Sequence, residues 1–346
     1  MTAHIFTTNF VSSGHIAVMA NDFDTAYVAP GITVGSTDAD VIRGTGDGYN
    51  VIVAGRVVAD GTGVRLGVNG STSNSHTATI RVGAEVVGAT AVSLSSYDVR
   101  FENAGLIYGT GYGIYVSGNN TSTTSTITNS GRIEGVYAIG GNLEERLTLT
   151  NSGTIKGEIY SFGGGSLVDR VTNTGLMVGT VGLNTGDDLY DGRLGRVVGT
   201  VNGHDGKDTI LGGKEANTFS GGSGSDIING GFGIDKLTGG GGNDFFVFNV
   251  KVAAANRDVI DDFNANGNDT MRLENAMFTK IGAVGVLKAA AFKLSTQTKD
   301  ADDRIIYNKA TGQVFYDADG SGAVAPVLFA TLTNEPTLTR FDFQVI

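Results

Sequence analysis

From residue 203 to residue 247 the chain reads GHDGKDTIL, GGKEANTFS, GGSGSDIIN, GGFGIDKLT and GGGGNDFFV, five nonapeptides without a gap. The last three carry Gly-Gly-x-Gly-x-Asp-x-apolar-x in every fixed position; the first keeps two glycines and the Asp, and the second is degenerate. A strict period of this kind marks a solenoid whose repeats stack. With two nonapeptides to a coil, residues two repeats apart lie above one another. Asp208, Asp226 and Asp244 then form one column, and Asn217 and Asp235 form the opposite one. Ile210, Phe219, Ile228, Leu237 and Phe246, at the eighth position, point inward from the short strand after each turn.

The residue types in these turns suit a hard cation. Calcium takes six to eight oxygen ligands and mixes carboxylates with backbone carbonyls. Glycine lets the backbone bend tightly and approach the ion, which assigns Gly203, Gly206, Gly222, Gly224, Gly231, Gly233, Gly240 and Gly242 to the carbonyl part. Asp208, Asp226, Asp235 and Asp244 supply charge, and Asn217 makes a weaker site. Two or three good calcium sites are expected. A flexible glycine-rich linker would lack the in-phase Asp and aliphatic positions.

These nonapeptides resemble the hemolysin-type calcium-binding repeats of the RTX family. The resemblance covers residues 203 to 247, with divergent copies at 185–190, which adds Asp188, and at 36–42. It implies a parallel β-roll that folds on calcium, and export by a type I secretion machinery through an uncleaved C-terminal signal. Arg257 to Phe263, followed by Asp269, is similar to the segment that caps such rolls, and Phe341 to Ile346 to the secretion-signal end. Asp317 to Gly322 opens like an EF-hand loop, but Leu328 occupies the position that needs Glu, so a hairpin turn is expected.

Upstream, a second repeat reads Asn-x-Gly-x-aliphatic-x-Gly from Asn103, Asn129, Asn151 and Asn173. Its aliphatic positions are Val57, Val86, Ile107, Ile133, Ile155, Met177 and Val197, and each interval between them suits the length of one β-solenoid coil. Alternation before each Asn puts an apolar residue and the Asn on one face. That predicts an aliphatic stack beside a ladder of hydrogen-bonded amides. Thr128, Thr150 and Thr172 would form an outward column.

Composition agrees: 54 Gly, 3 Pro and no Cys in 346 residues describe many short strands and tight turns without disulfides. A net charge of -11 argues against nucleic acid, which needs clustered Lys and Arg, and suits divalent cations. No apolar run is long enough for a membrane helix, and the stretch from Met1 to Ala20 carries no signal-peptide pattern.

No catalytic motif is present: His4, His15, His76 and His204 are scattered singly, and neither H-E-x-x-H nor G-x-S-x-G occurs. Glu134, Glu144, Glu145, Glu158, Asp187 and Asp188, with Arg132 and Arg146 nearby, are the acids available to the alternative reading, a calcium-dependent polysaccharide lyase, hydrolase or epimerase.

The expected architecture is all-β: an N-terminal cap with a divergent repeat (1–50), a parallel β-helix (51–200) continuing into a calcium β-roll (201–248), and a C-terminal cap with secretion signal (249–346). The expected function is that of a secreted, extracellular calcium-binding protein with a structural or adhesive role at a surface or matrix. Its partners would be calcium, the type I machinery and cell-surface glycan or proteins.

Overall fold

The computed structural model describes residues 2–346 except 46, 68–74, 96–97, 119–121, 143, 266 and 296–298. The protein is an all-β solenoid in two compact units, residues 1–186 with 195–199, and residues 187–194 with 200–346.

In the first unit one parallel sheet stacks Ala3–Phe6, Thr25–Val28, Asn50–Val53, Thr77–Ile80, Arg100–Asn103, Thr124–Asn129, Arg146–Asn151 and Arg170–Asn173 in that order. Solenoid pairing thus already operates in the segment N-terminal to Asn50. The second face carries longer strands, among them Glu85–Leu94, Leu106–Val116, Arg132–Gly141 and Thr154–Gly163. These turn a corner midway, where their register shifts. Glycine is obligatory at that corner, because a Cβ on Gly109 or Gly157 would lie 1.7 Å from the carbonyl oxygen of Tyr112 or Tyr160.

Both predicted stacks are present. Val57, Val86, Ile107, Ile133, Ile155, Met177 and Val197 follow one another in register and are buried. Each Asn of the ladder donates from Nδ2 to the Oδ1 of the next, at 2.8 Å for Asn103 to Asn129, Asn129 to Asn151 and Asn151 to Asn173. The amides are buried and hydrogen-bonded, so their role is structural. Thr128, Thr150 and Thr172 align and are exposed.

The second unit has two facing sheets. One stacks Leu189–Asp191, Thr209–Leu211, Ile227–Asn229, Phe245–Phe248, Thr270–Leu273 and Phe343–Val345, edged by antiparallel Gly285–Val286. The other stacks Thr200–Asp205, Thr218–Ser223, Lys236–Gly241, Asp258–Ile260 and Val327–Leu332. Ile210, Phe219, Ile228, Leu237 and Phe246 fill the space between them, each at most 1% exposed. Gln313–Tyr316 pairs antiparallel with Val327–Leu332, which confirms the hairpin. At its turn Asp317 accepts the amides of Asp319 and Gly320 and meets Lys299, so its carboxylate is used locally. The C-terminal residues form a strand in register with Met271 to Leu273, not a free tail.

Candidate metal centre

Each repeat Asp stands immediately before a strand, at the end of a turn whose second and fourth residues have positive φ. Gly222 (112°), Gly224 (134°), Gly240 (101°) and Gly242 (128°) adopt it on one edge, Gly231 (89°) and Gly233 (114°) on the other, and Gly206 (138°) in the first turn. His204 holds the same conformation, φ 73°, in the place where later turns have glycine. A Cβ at Gly222, Gly224, Gly240 or Gly242 would fall 1.6–2.0 Å from the carbonyl oxygen of the matching residue one coil earlier. The carbonyls of His204, Gly206, Gly222 and Gly224 therefore face the next turn at a distance that only glycine permits.

The carboxylates interlock along the same direction. Oδ1 of Asp208 accepts from the Asp188 amide at 2.8 Å, Oδ1 of Asp226 from the Asp208 amide at 2.8 Å, and Oδ1 of Asp244 from the Asp226 amide at 2.9 Å. On the opposite edge Oδ1 of Asp235 accepts from the Asn217 amide at 2.7 Å. Both predicted columns are thus brought together. Asp188 joins the first although it stands out of phase with the nonapeptide period, because the extra length is absorbed outside the turn.

The second oxygen of each carboxylate decides the chemistry. Oδ2 of Asp208, Asp226, Asp235 and Asp244, and Oδ1 of Asn217, are buried and accept no hydrogen bond from the described residues. Burying an ion without a partner is costly, so such a group protonates or takes a cation. Burial accordingly pushes the carboxyls of Asp208, Asp226 and Asp244 up to about 7, helped by the neighbouring Asp charges, and raises Asp235 and Asp258 as a pair.

Other oxygens border the same space. The position a Cβ would take on Gly203 is 2.2 Å from Asp208 Oδ2 and 2.3 Å from the Gly221 carbonyl, and that on Gly221 is 2.2 Å from Asp226 Oδ2 and 2.7 Å from the Gly239 carbonyl. Carboxylate and next-turn carbonyl therefore converge in front of a bare Cα. Among the described residues no three acidic or histidine side chains converge on one point. Charge is supplied one carboxylate per turn, and the remaining ligands of a hard cation would be backbone carbonyls, which is the donor mixture calcium accepts.

Residues 202–237 and 220–249 match the RTX calcium-binding nonapeptide repeat, with 4 copies. These are RTX calcium-binding repeats. The ion such repeats take is calcium, and the unpartnered oxygens fit it. Comparisons with curated proteins and with solved structures find no match.

Sequence reasoning missed two groups around the RTX repeats. Gly221, Gly230 and Gly239, at the first position, pack their Cα against Oδ2 of Asp226, Asp235 and Asp244, with a Cβ placed 2.2–2.4 Å from that oxygen; the signal was glycine at position one of all five repeats. Asp258 and Asp269 extend both columns beyond the repeats, accepting the amides of Asp235 at 3.1 Å and Asp244 at 2.9 Å. They follow longer coils than the repeats do, which hides them from a search at the nonapeptide period. The region at 36–42 is different: Asp40 is paired with Arg65 at 2.7 Å, and Asp38 accepts the Gly14 amide. Of the acids open to catalysis, Glu134 pairs with Arg132, Asp187 accepts the Lys207 amide at 2.8 Å, and Glu145 is buried.

Proposed function

We propose that this is an extracellular structural or adhesive protein whose RTX unit folds when it meets millimolar calcium after type I export. The observation that carries this reading is the row of buried carboxylate oxygens with no donor. Stacking these turns without a cation confines several like charges, so the folded roll is disfavoured where calcium is submicromolar. Where calcium saturates the turns, each site adds RT ln(1 + [L]/Kd), so three sites at ten times Kd contribute ~4 kcal/mol, a large share of a domain's stability. A chain that stays loose inside the cell can be threaded through an exporter. Extracellular calcium modules bind at ~10⁻⁴ to 10⁻³ M, which matches that transition.

The adhesive part rests on the outward face of the first unit, where Thr128, Thr150 and Thr172 are aligned. Its ligand would be cell-surface glycan or another surface protein. The test has two arms. Co-expression with a type I exporter should place the chain in the medium, and changing Phe343 and Val345 to Asp should retain it in the cell. Replacing the three threonines by lysine should lower retention on the producing cells while leaving the calcium-induced change in circular dichroism intact. Export without any exporter, or unchanged retention, refutes the corresponding arm.

A further inference from the structure

The sheet of longer strands in the first unit carries an aromatic column on its outer side. Strand register aligns Thr62, Thr90, Tyr112, Tyr137, Tyr160 and Thr180 on successive coils. The three tyrosine rings stack, with centroids 4.9 Å apart at 19° and 6.1 Å apart at 13°. Tyr115 meets Tyr112 edge-on at 5.1 Å. All four tyrosines are half-buried.

Beside the rings the side chains vanish. In the neighbouring column Arg65, Ser93 and Tyr115 are followed by Gly140, and Gly163 comes next, since its Cβ position is 3.9 Å from the Gly140 Cα. The fold does not need glycine at either place. Neither residue has a positive φ, and a Cβ on Gly140 would meet nothing closer than a Tyr112 ring carbon at 3.8 Å, an ordinary contact. Gly109 and Gly157 at the corner differ, because there a carbonyl oxygen would lie 1.7 Å away. What Gly140 and Gly163 do is leave a bare backbone floor beside a wall of tyrosines. Tyr112, Tyr137, Tyr160, Gly140, Gly163 and Asn184 line the resulting cleft. Across Tyr112 it continues into a second hollow bordered by Thr90, Ser93, Ser95 and Tyr115.

We propose that this cleft binds an uncharged oligosaccharide laid along the stacking direction of the coils. The partner class rests on the adhesive reading above, but the site is a different one, since the threonine column belongs to the other sheet. The lining selects the ligand. Among the described residues no charged side chain borders the tyrosine section, and Arg65, beside the second hollow, is already paired with Asp40 at 2.7 Å. A uronate chain would therefore find no counter-charge. Each tyrosine offers an apolar surface for sugar C–H groups and a hydroxyl for sugar hydroxyls, and Thr90 and Asn184 add polar groups toward the two ends. Coils repeat at ~4.8 Å, close to the length of one pyranose unit, so each sugar of an extended chain meets its own rung. A peptide strand cannot add here, because the strands that carry Gly140 and Gly163 are already paired on both sides.

The test titrates the full chain, in 10 mM calcium chloride, by calorimetry with hexasaccharides of β-1,4-linked glucose, mannose and N-acetylglucosamine. Hexagalacturonate and decaproline are the charged and peptide controls. At least one neutral hexasaccharide should bind, and neither control should. Tyr137→Ala should weaken that binding tenfold or more. Gly163→Val fills the floor where a Cβ meets only ordinary contacts, so it should abolish binding and leave the thermal midpoint unchanged. That second variant keeps the test decisive if Tyr137→Ala folds poorly. Replacing Thr128, Thr150 and Thr172 by lysine should leave the affinity as it is. No binding of any neutral hexasaccharide, tighter binding of either control, or binding that survives Gly163→Val overturns the inference. Retention on cells that is lost with the threonine variant and kept with Gly163→Val overturns it too while sparing the adhesive reading, so the two failures are distinguishable.

Discussion

Asp226→Asn separates a charge that calcium requires from a shape that the fold requires. The substitution keeps Oδ1, which accepts the Asp208 amide at 2.8 Å, and replaces the buried, donor-free Oδ2 with an uncharged amide nitrogen. In the wild type, burial first and then the charges of Asp208 and Asp187 lift this carboxyl from 3.8 to about 7. Three pH units at ~1.4 kcal/mol each set a ceiling of ~4 kcal/mol on what the ionised group costs the calcium-free fold at pH 7.5. Removing the charge should recover ~1 kcal/mol or more of it. With calcium the sign reverses. Asp226 faces the turns of both Asp208 and Asp244, so losing it weakens ions on two sides, and at ten times Kd each is worth ~1.4 kcal/mol. Far-ultraviolet circular dichroism should show the variant retaining more β-signal than the wild type in EDTA and melting several degrees below it in 10 mM calcium chloride. A variant that is weaker in EDTA and keeps the full calcium gain would refute the reasoning.

Four further outcomes follow from the same geometry. For the calcium-free protein, the folded carboxyls of Asp208, Asp226 and Asp244 titrate near 7 and the unfolded ones near 3.8. The folded state then binds more protons between those values, and stability in EDTA should rise as pH falls from 7.5 to 5, read from urea midpoints; a fall would contradict the burial argument. Calcium added at pH 6.5 should release protons, and release fewer at pH 8.5, measured by calorimetry in buffers of different ionisation enthalpy. Gly221→Ala places a Cβ 2.2 Å from Asp226 Oδ2 and should weaken calcium binding at least tenfold, whereas Gly241→Ala, with nothing within 4 Å, should leave it unchanged, as read by equilibrium dialysis. Asn129→Ala removes a donor to Asn151 and an acceptor for Asn103 and should cost ~2–3 kcal/mol in the first unit, equally with and without calcium, by urea unfolding.

Much of this was legible in the sequence because solenoids turn sequence period into spatial stacking. The columns through Asp208, Asp226 and Asp244, and through Asn217 and Asp235, follow from a period of two nonapeptides, and the Asn103–Asn173 ladder from its repeated motif. Where coil length drifts, period alone fails. Asp258 and Asp269 join the columns after longer coils, and only the backbone amides of Asp235 and Asp244 reveal them. Asp40 shows the converse. Its surroundings read like a repeat, but Arg65, on the next coil, neutralises it. Charge compensation depends on which coil a side chain reaches, and no local pattern encodes that.

The central claim is that the donor-free carboxylate oxygens are calcium ligands. The most direct measurement titrates the chelator-stripped wild type at pH 7.5 with calcium, recording bound ion and far-ultraviolet ellipticity in the same samples, with magnesium as the control. Ellipticity that gains β-signal in step with saturation of calcium, and does not respond to magnesium, is the predicted result. Full β-signal in EDTA, with no calcium bound at 10 mM, would contradict it.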